Sequence, residues 1–200
     1  MHMSFIKFLG TAGARFVVTK QLRASGGVWL SVGKTNLYID PGPGALVRCL
    51  SSKPKLEPPT LDGILLTHKH LDHSGDVNVM IEAMTEGGFK KRGVLFAPGD
   101  ALEEDPVVLK YVKDYVKKVE ILKENSEYQI GEIGFSTARR HQHRVETYGI
   151  NFKTLPRKIS LIADTKFFPE LPDLYRGEIL IVHVVRLEPV KDVQIGRAHV

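Results

Sequence analysis

Short apolar runs bounded by glycine, proline or polar residues recur along the chain, and this pattern predicts many strands. The predicted strands are Ser4–Leu9, Val28–Val32, Asn36–Asp40, Leu61–Thr67, Val119–Leu122, Tyr128–Ile130, Ile133–Thr137, Ile150–Thr154, Ile159–Ala163 and Ile179–Val185. The dipeptide Gly33-Lys34 separates the second strand from the third and predicts a hairpin there.

Helical spacing of apolar residues is confined to a few segments. One helix is predicted at Ala45–Ser51, and another by residues spaced i, i+3, i+4 and i+7, namely Val77, Met80, Ile81 and Met84. A third is predicted to start at Asp105-Pro106, an N-cap followed by a first-turn proline, and to bury Val108, Val112, Tyr115 and Val119. Its end competes for Val119 with the strand predicted at Val119–Leu122. Strands punctuated by such helices favour two packed sheets flanked by helices.

The composition of the 200-residue chain is that of one globular domain, with 42% hydrophobic and 26% charged residues. It excludes disorder, collagen and coiled coil, and no apolar run approaches the length of about 18 residues that a membrane helix needs. The N-terminus lacks a secretory hydrophobic segment, so we expect a soluble cytoplasmic protein. The net charge of +5 is compatible with a phosphate-bearing substrate and equally with a basic solvated surface.

The chemistry is concentrated in the segment Thr67–Gly75, where three histidines and one aspartate fall within six residues. Imidazole nitrogen and carboxylate oxygen are ligands that suit zinc and neighbouring transition metals. Adjacent side chains in a tight loop diverge, so His68 and His70 can face one ion while Asp72 and His73 face another. Such a division requires further ligands from elsewhere in the chain. The alternative is a loop of solvated histidines without a metal.

Further candidates lie at the ends of strands in the second half of the chain. His141 and His143 precede the Tyr148-Gly149 pair, and Asp164 follows an apolar strand. An aspartate at a strand end is more often a turn residue or helix cap than a ligand. His183 falls within the strand predicted at Ile179–Val185, and we expect it to be a hydrogen-bonded core residue.

The motif His68-x-His70-x-Asp72-His73 resembles the signature of the metallo-β-lactamase fold, a large superfamily of dinuclear metallohydrolases. The resemblance extends in the expected order to Lys7–Gly13, Leu37–Gly42, His143–Gly149 and Leu161–Thr165. The third of these segments is similar to the third histidine motif of the ribonuclease Z branch. The resemblance implies an α+β fold, a four-layer αββα sandwich, with the metal loop at one edge between the sheets.

The resemblance also implies a ligand set. One metal would be bound by His68, His70 and His143, the other by Asp72 and His73, with Asp164 as the bridge. Asp72 would also orient the nucleophile in catalysis. Asp40 would accept a hydrogen bond from a ligating histidine, and it can at the same time cap the Asp-Pro-Gly turn. His141 is the rival of His143, but only His143 matches the spacing to Tyr148-Gly149.

The implied function is metal-dependent hydrolysis by a hydroxide that bridges two zinc ions, with iron or manganese compatible with the same ligands. The basic balance and the ribonuclease Z-like motif favour a phosphodiester substrate, either a small molecule such as a cyclic nucleotide or a nucleic acid. A thioester or lactone hydrolase and a metal-stabilised binding module without turnover are the alternatives. The basic loop Gly87–Gly93 is interpreted as a phosphate contact or, more simply, a solvated turn. A homodimer is compatible with the sequence.

The end of the chain departs from the resemblance. Family members continue past the strand matching Ile179–Val185 to a final histidine that completes the metal shell. The last residues, Ile195–Val200, are instead what ATCGGAAGAGCACACGTC encodes, a stretch of a widely used sequencing adapter. We therefore expect residues 1–194 to form a hydrolase domain that lacks its C-terminal portion, and 195–200 to be a non-native tail. On this interpretation His199 is not the missing ligand, and the second metal binds weakly; the alternative is a genuine terminus whose His199 closes the site.

Overall fold

Two β-sheets form the centre of the fold. The structure is a computed structural model that describes residues 4–13, 15–153 and 157–184. The first sheet contains, in spatial order, β1 (Phe5–Phe8), β2 (Val28–Val32), β3 (Thr35–Ile39), β4 (Gly63–Leu65), β5 (Val94–Ala97) and β6 (Lys118–Ile121). The second contains β11 (Ile179–Val182), β10 (Ile159–Ile162), β9 (Ile150–Phe152), β8 (Ile133–Thr137) and β7 (Glu127–Ile130).

The pairing of the strands brings several loops to one edge. In the first sheet β1, β2 and β3 pair antiparallel, whereas β3, β4, β5 and β6 run parallel. Gly33 takes a positive φ of 55° in the two-residue turn of the predicted hairpin. Because β3, β4 and β5 point the same way, the loops that follow them leave the sheet at the same edge. The second sheet is antiparallel except for β10 and β11.

Helices cover the outer faces of both sheets. Their bounds are α1 (Arg15–Thr19), α2 (Ala45–Ser51), α3 (Leu71–Ser74), α4 (Val77–Met84), α5 (Lys110–Lys113) and α6 (Leu171–Leu174). Buried residues of α2, α4 and α5 pack with the outer face of the first sheet, and α6 packs against Ile162 of the second. The predicted four-layer αββα sandwich is therefore confirmed.

The core between the sheets explains why several strands read as nearly continuous apolar runs. Leu37 and Ile39 of β3 pack with residues of the second sheet such as Phe135, whereas Tyr38 between them belongs to the cluster under the helices. Alternate side chains of a strand point to opposite faces, so a strand covered on both sides needs apolar residues at every position. All five residues of β2 are buried in this way, and its one polar side chain, Ser31, is hydrogen-bonded to Trp29 and Asn36.

The helix predicted to begin at Asp105-Pro106 is wrong in its start and length. Asp105 takes a positive φ of 56°, and the α-helix spans only Lys110–Lys113. Val108 and Val112 are buried as expected, but Val119 lies in β6, where it pairs with Leu95. Strand pairing with β5 thus overrides the helical spacing of the apolar residues.

Two sequence expectations concern the chain as a whole. No helix in the described part of the chain is both long and apolar enough to cross a membrane. The expected domain boundary after residue 194 and the expected non-native segment 195–200 lie outside the described residues.

Candidate metal centre

Loops from both sheets meet at the edge where β3, β4 and β5 end. Asp40 directly follows β3, and the histidine motif begins three residues after the end of β4. The second sheet contributes His143 from the loop between β8 and β9, and Asp164 from the turn after β10. This convergence brings to the histidine motif the additional candidate ligands that a two-metal site needs from elsewhere in the chain.

The first cluster contains the three histidines that the family resemblance assigns to one metal, together with Asp164. Donor atoms of His68, His70, His143 and Asp164 all lie within 4.8 Å of one another. Nε2 of His143 is 3.0 Å from Nδ1 of His70, and Nε2 of His68 is 3.8 Å from Oδ2 of Asp164. Three nitrogens and a carboxylate oxygen thus lie close enough together to bind one zinc-type ion.

A second cluster lies on the other side of Asp164. Nε2 of His73 is 3.5 Å from Oδ1 of Asp164 and 3.7 Å from Oδ2 of Asp72. Nδ1 of His183 is 2.6 Å from the same Oδ1 of Asp164. Donor atoms of His73, Asp164 and His183 also lie within 4.8 Å of one another, so these residues form a second potential ligand group. Asp164 therefore belongs to both groups, in the position that a bridging carboxylate would occupy.

The expectation that His183 is a core residue within a buried strand is wrong. Strand β11 ends at Val182, and its residues are exposed or half-buried because β11 lies at the edge of the second sheet. The imidazole of His183 turns toward Asp164, while its other edge lies against the backbone of Gly13. Among the described residues, the second cluster thus has a histidine beyond those predicted from the sequence.

Asp40 holds two of the histidines in orientation. Its Oδ2 accepts a hydrogen bond from Nδ1 of His73 at 2.9 Å and another from Oγ1 of Thr67 at 2.7 Å. Its Oδ1 accepts the backbone N–H of Thr67 at 2.7 Å. A positive φ of 50° at Asp40, which aspartate tolerates better than most residues, directs the chain into this turn. The predicted contact of Asp40 with a histidine is therefore present. Its carboxylate does not cap the Asp-Pro-Gly turn as predicted, because it bonds Thr67 instead, and the N–H of Gly42 donates to the backbone carbonyl of Asp40.

Thr67 extends the influence of Asp40 to His68. The Thr67 hydroxyl lies 3.1 Å from Nδ1 of His68 and donates its single proton to Asp40. The hydroxyl oxygen must therefore accept a hydrogen bond from Nδ1–H of His68, which leaves Nε2 of His68 with its lone pair. Nδ1 of His73 likewise donates to the carboxylate of Asp40, so Nε2 is the nitrogen that His73 directs toward the second cluster.

Buried atoms without hydrogen-bond partners test whether these residues fit metal ions. Nε2 of His68, Nε2 of His73 and Oδ1 of Asp72 are buried and have no hydrogen-bond partner. An unpartnered buried polar atom is costly, and three of them directed into one small region indicate that another positive group completes their contacts. Nitrogen and carboxylate donors in these numbers suit zinc, iron or manganese, so the residues fit the implied metal pair.

The histidines of the site differ in the direction in which their surroundings shift their pKa values. Burial lowers the pKa of His68 well below its usual value and also lowers the pKa of His143. Burial acts in the same direction on His73, but the charges of Asp40 and Asp164 outweigh it and raise the pKa of His73. Burial would raise the pKa of Asp164, yet its contacts with His183 and His73 hold that pKa far below the usual range. Asp164 is therefore a permanent anion between the two clusters.

His141, the rival of His143, is not part of either ligand group. It is 3% exposed, its Nδ1 is 3.3 Å from the backbone carbonyl of Asp164, and its Nε2 is 2.8 Å from Oη of Tyr175. Burial lowers its pKa to about 4, so the ring is neutral near pH 7. The carbonyl can only accept, so Nδ1 donates to it and Nε2 accepts from the Tyr175 hydroxyl. His141 thus connects the His143 loop to the turn that carries Asp164.

A reciprocal pair of carboxylates fixes the loop that carries His143. The backbone N–H of Glu146 donates to Oδ2 of Asp100 at 3.0 Å, and that of Asp100 donates to Oε2 of Glu146 at 3.4 Å. Oε1 of Glu146 accepts the Tyr148 hydroxyl at 2.7 Å. The Tyr148 side chain is therefore a buried anchor of the loop in this structure.

The basic loop Gly87–Gly93 lies away from this centre. It precedes β5 and so leaves the sheet at the edge opposite to the loops that follow β3, β4 and β5. Phe89 at its tip is 94% exposed. The interpretation of this segment as a solvated turn agrees with its position better than a phosphate contact at the metal centre does.

Comparisons with known proteins agree with this arrangement. Residues 35–200 match the family model described as beta-lactamase superfamily domain. A curated relative is uncharacterized protein MJ1374 of Methanocaldococcus jannaschii, which is 31% identical over 188 residues. That alignment covers 90% of this chain and 69% of the relative.

Solved structures share the fold at lower sequence identity. The metallo-beta-lactamase fold protein YhfI of Bacillus subtilis superposes with a TM-score of 0.66 at 20% identity, over 84% of this chain and 65% of YhfI. A diphosphatase from the PhnP family gives a TM-score of 0.66 at 19% identity, covering 97% of this chain and 79% of that one. The short form of human tRNase Z gives 0.64 at 16% identity, covering 89% and 76%. This chain thus spans about two thirds to four fifths of the length of these proteins.

Proposed function

The chain belongs to the β-lactamase superfamily and has the metallo-β-lactamase fold, and from that premise we propose that it is a hydrolase that binds two metal ions and cleaves phosphodiesters. The observation that carries the proposal is the position of Asp164, whose Oδ2 faces His68 and whose Oδ1 contacts His183 and approaches His73. A carboxylate shared by two ligand groups is the arrangement expected of a two-metal hydrolase.

Each side chain has a defined part in this proposal. His68, His70 and His143 hold the first ion, and Asp72, His73 and His183 hold the second, with Asp164 between them. When bound, the two ions would activate water for attack and stabilise negative charge on the phosphoryl oxygens. The buried, unpartnered Oδ1 of Asp72 is suited to accept a proton from the attacking water and so to orient it. Asp40 keeps the ring of His73 in the productive orientation.

Two observations favour a phosphodiester over a thioester or lactone. Among the similar structures, one is named a tRNase Z and another a diphosphatase, so the fold accommodates phosphorus chemistry in both. The chain also has a net charge of +5, which favours the approach of an anionic substrate. Zinc is the proposed metal, with iron or manganese as substitutes that the same donor atoms would accept. A cytoplasmic location and a homodimer stay predictions.

The decisive experiment compares phosphodiester and thioester hydrolysis by the metal-loaded protein. Metal-free protein is reconstituted with zinc, manganese or iron, and each form is assayed with bis-p-nitrophenyl phosphate and with a panel of thioesters and lactones. Turnover of the diester that requires metal and is lost in Asp72→Asn would support the proposal. Preferential cleavage of a thioester or lactone would replace the substrate class, and tight metal binding without turnover would favour a binding module.

A further inference from the structure

A cleft of about 830 Å³ adjoins the candidate metal centre. It is lined by His70 and Asp72 of the candidate metal centre, by further residues of α3, by Val18 and Thr19 of α1, and by the segment 105–107. Its apolar lining includes Val18, Leu71 and Val107. A cavity of this volume is large enough for a ligand of several hundred daltons, and it borders two of the proposed metal ligands. It is therefore the natural place for the part of a substrate that is not cleaved.

Among the described side chains that line this cleft, Lys69 is the one lysine or arginine. Lys69 stands between His68 and His70 in the sequence, and its Nζ lies 3.3 Å from the carbonyl of Glu104 and 3.5 Å from that of Asp105. In the described part of the chain, Lys69 has no carboxylate oxygen within 4.0 Å of its Nζ. Lys90, in contrast, pairs with Glu86 at 2.7 Å. The two contacts of the Lys69 ammonium group are exposed and long and go to neutral carbonyls, so the group retains its attraction for an anion.

We propose that the cleft binds the uncleaved portion of an anionic substrate, with Lys69 pairing with a second phosphate or carboxylate group beside the scissile phosphodiester. This proposal rests on the proposed function and adds to it a substrate class: phosphodiesters that carry an additional anionic group and an apolar or planar moiety. Val18, Leu71 and Val107 would contact that moiety. Leu71 is 69% exposed and lines the cleft, so its side chain is available for such a contact.

A negatively charged residue in the same cleft allows a second test, in which the expected change in affinity has the opposite sign. Asp105 also lines the cleft. Lys69 approaches the backbone carbonyl of Asp105 and does not form an ion pair with its carboxylate. Its negative charge should repel a second anionic group on the substrate. Lys69→Met and Asp105→Asn are therefore expected to change the affinity for such substrates in opposite directions. Asparagine tolerates the left-handed backbone at position 105, so this variant should fold normally.

The test uses two chromogenic esters that differ by one phosphate: the p-nitrophenyl ester of thymidine 5′-phosphate with a free 3′-hydroxyl, and the same ester with a 3′-phosphate. With zinc-loaded protein, Lys69→Met should raise KM for the 3′-phosphorylated ester about tenfold more than it raises KM for the other ester. Lys69→Arg should restore most of the lost affinity, and Asp105→Asn should lower KM about twofold. Lys90→Met, a loss of the same charge at the opposite edge of the sheet, is the matched control.

The outcomes distinguish this proposal from the proposed function. Equal losses on both esters in Lys69→Met, or equal effects of Lys69→Met and Lys90→Met, would overturn the role of Lys69 while leaving phosphodiester hydrolysis intact. If the wild-type protein hydrolyses neither ester, the proposed function fails. Calorimetric binding of thymidine 3′,5′-bisphosphate and thymidine 5′-phosphate still tests the cleft in that case. Tighter binding of the bisphosphate that is lost in Lys69→Met supports the proposal, and equal binding of the two nucleotides overturns it.

Discussion

The carboxylate of Asp40 accepts a hydrogen bond from Nδ1 of His73 at 2.9 Å, although 33 positions separate the two residues in the chain. The same carboxylate accepts the backbone N–H and the hydroxyl of Thr67. One side chain beneath the loop therefore determines both the path of the histidine motif and the ring nitrogens that His68 and His73 present. Stability and metal affinity are consequently coupled at Asp40.

Replacement of Asp40 should impair both properties. We expect Asp40→Ala to lower the free energy of unfolding of the metal-free protein by about 3 kcal/mol, because three donors lose their acceptor. Metal affinity should fall about 10- to 100-fold, as for other groups that orient metal-ligating histidines. Urea denaturation and cobalt titration measure the two effects. Asp40→Asn, which keeps one acceptor and tolerates the left-handed backbone, should be milder, and equal effects of the two variants would contradict the explanation.

Replacement of Asp72 should separate the two properties. Oδ1 of Asp72 is buried without a hydrogen-bond partner, so the metal-free protein gains little from this carboxylate. We expect Asp72→Ala to change the free energy of unfolding of the metal-free protein by less than about 1 kcal/mol. The same variant should bind about one metal ion fewer and lose hydrolysis. Metal analysis after dialysis and denaturation of the metal-free form check this, and a stability loss as large as that of Asp40→Ala would contradict it.

The sequence alone predicts the parts of this site that are contiguous. His68, His70, Asp72 and His73 lie within six consecutive residues, so their residue types and spacing already indicate a two-ion site. The helix Ala45–Ser51 is likewise local, and the structure has it with the predicted bounds. Thr67 could have been suspected from its place directly before His68, but its hydroxyl acts through Asp40, which is remote in the chain.

The misjudged residues are those whose environment depends on strand pairing. Val119 fits a helical repeat, yet pairing with Leu95 places it in β6. His183 follows an apolar run that resembles a buried strand, but β11 pairs only with β10 among the described strands and lies at the sheet edge. Tyr175 and Glu146 have no local signal at all, since their contacts with His141 and Asp100 form only after the loops converge. Apolar patterning defines the strands, whereas their order in the sheet determines which residues reach the metal centre.

Burial of Cys49 predicts a pH dependence of stability far from the metal centre. Cys49 is fully buried, and this burial raises the pKa of its thiol to about 11, compared with about 8.5 in an unfolded chain. The native state therefore retains a proton that the unfolded state releases. Its contribution to stability is present below about pH 8.5 and is lost as the pH rises toward 11. Urea denaturation between pH 8 and 11 should show a shallower decline for Cys49→Ala, and an identical decline would exclude this source.

The hydrogen bond between His141 and Tyr175 predicts a second stability effect. Removal of the hydroxyl in Tyr175→Phe leaves the buried Nε2 of His141 without its donor. We expect a loss of about 2 kcal/mol in the free energy of unfolding. His141→Gln combined with Tyr175→Phe should cost less than the sum of the single losses, because the two residues share one interaction. Additive losses in chemical denaturation would show that the pair is not coupled.

The contact between Gly13 and His183 predicts that a single methyl group disturbs the second metal ligand group. An ideal Cβ on Gly13 would overlap the imidazole of His183, whose Nδ1 contacts Asp164. Gly13→Ala should therefore displace the ring and reduce the affinity for the second ion about tenfold, with little effect on the first. Cobalt titration followed by optical absorption resolves the two sites.

A double-mutant cycle determines whether the effect of Gly13 passes through His183. If the methyl group acts by displacing this ring, Gly13→Ala should have almost no effect on the second metal site in a His183→Ala background. Gly99→Ala is the matched control, since its Cβ would come no closer than 3.4 Å to any neighbour outside the adjacent residues and its φ is not positive. An undiminished effect in the His183→Ala background would assign the role of Gly13 to the backbone of the 10–13 loop instead.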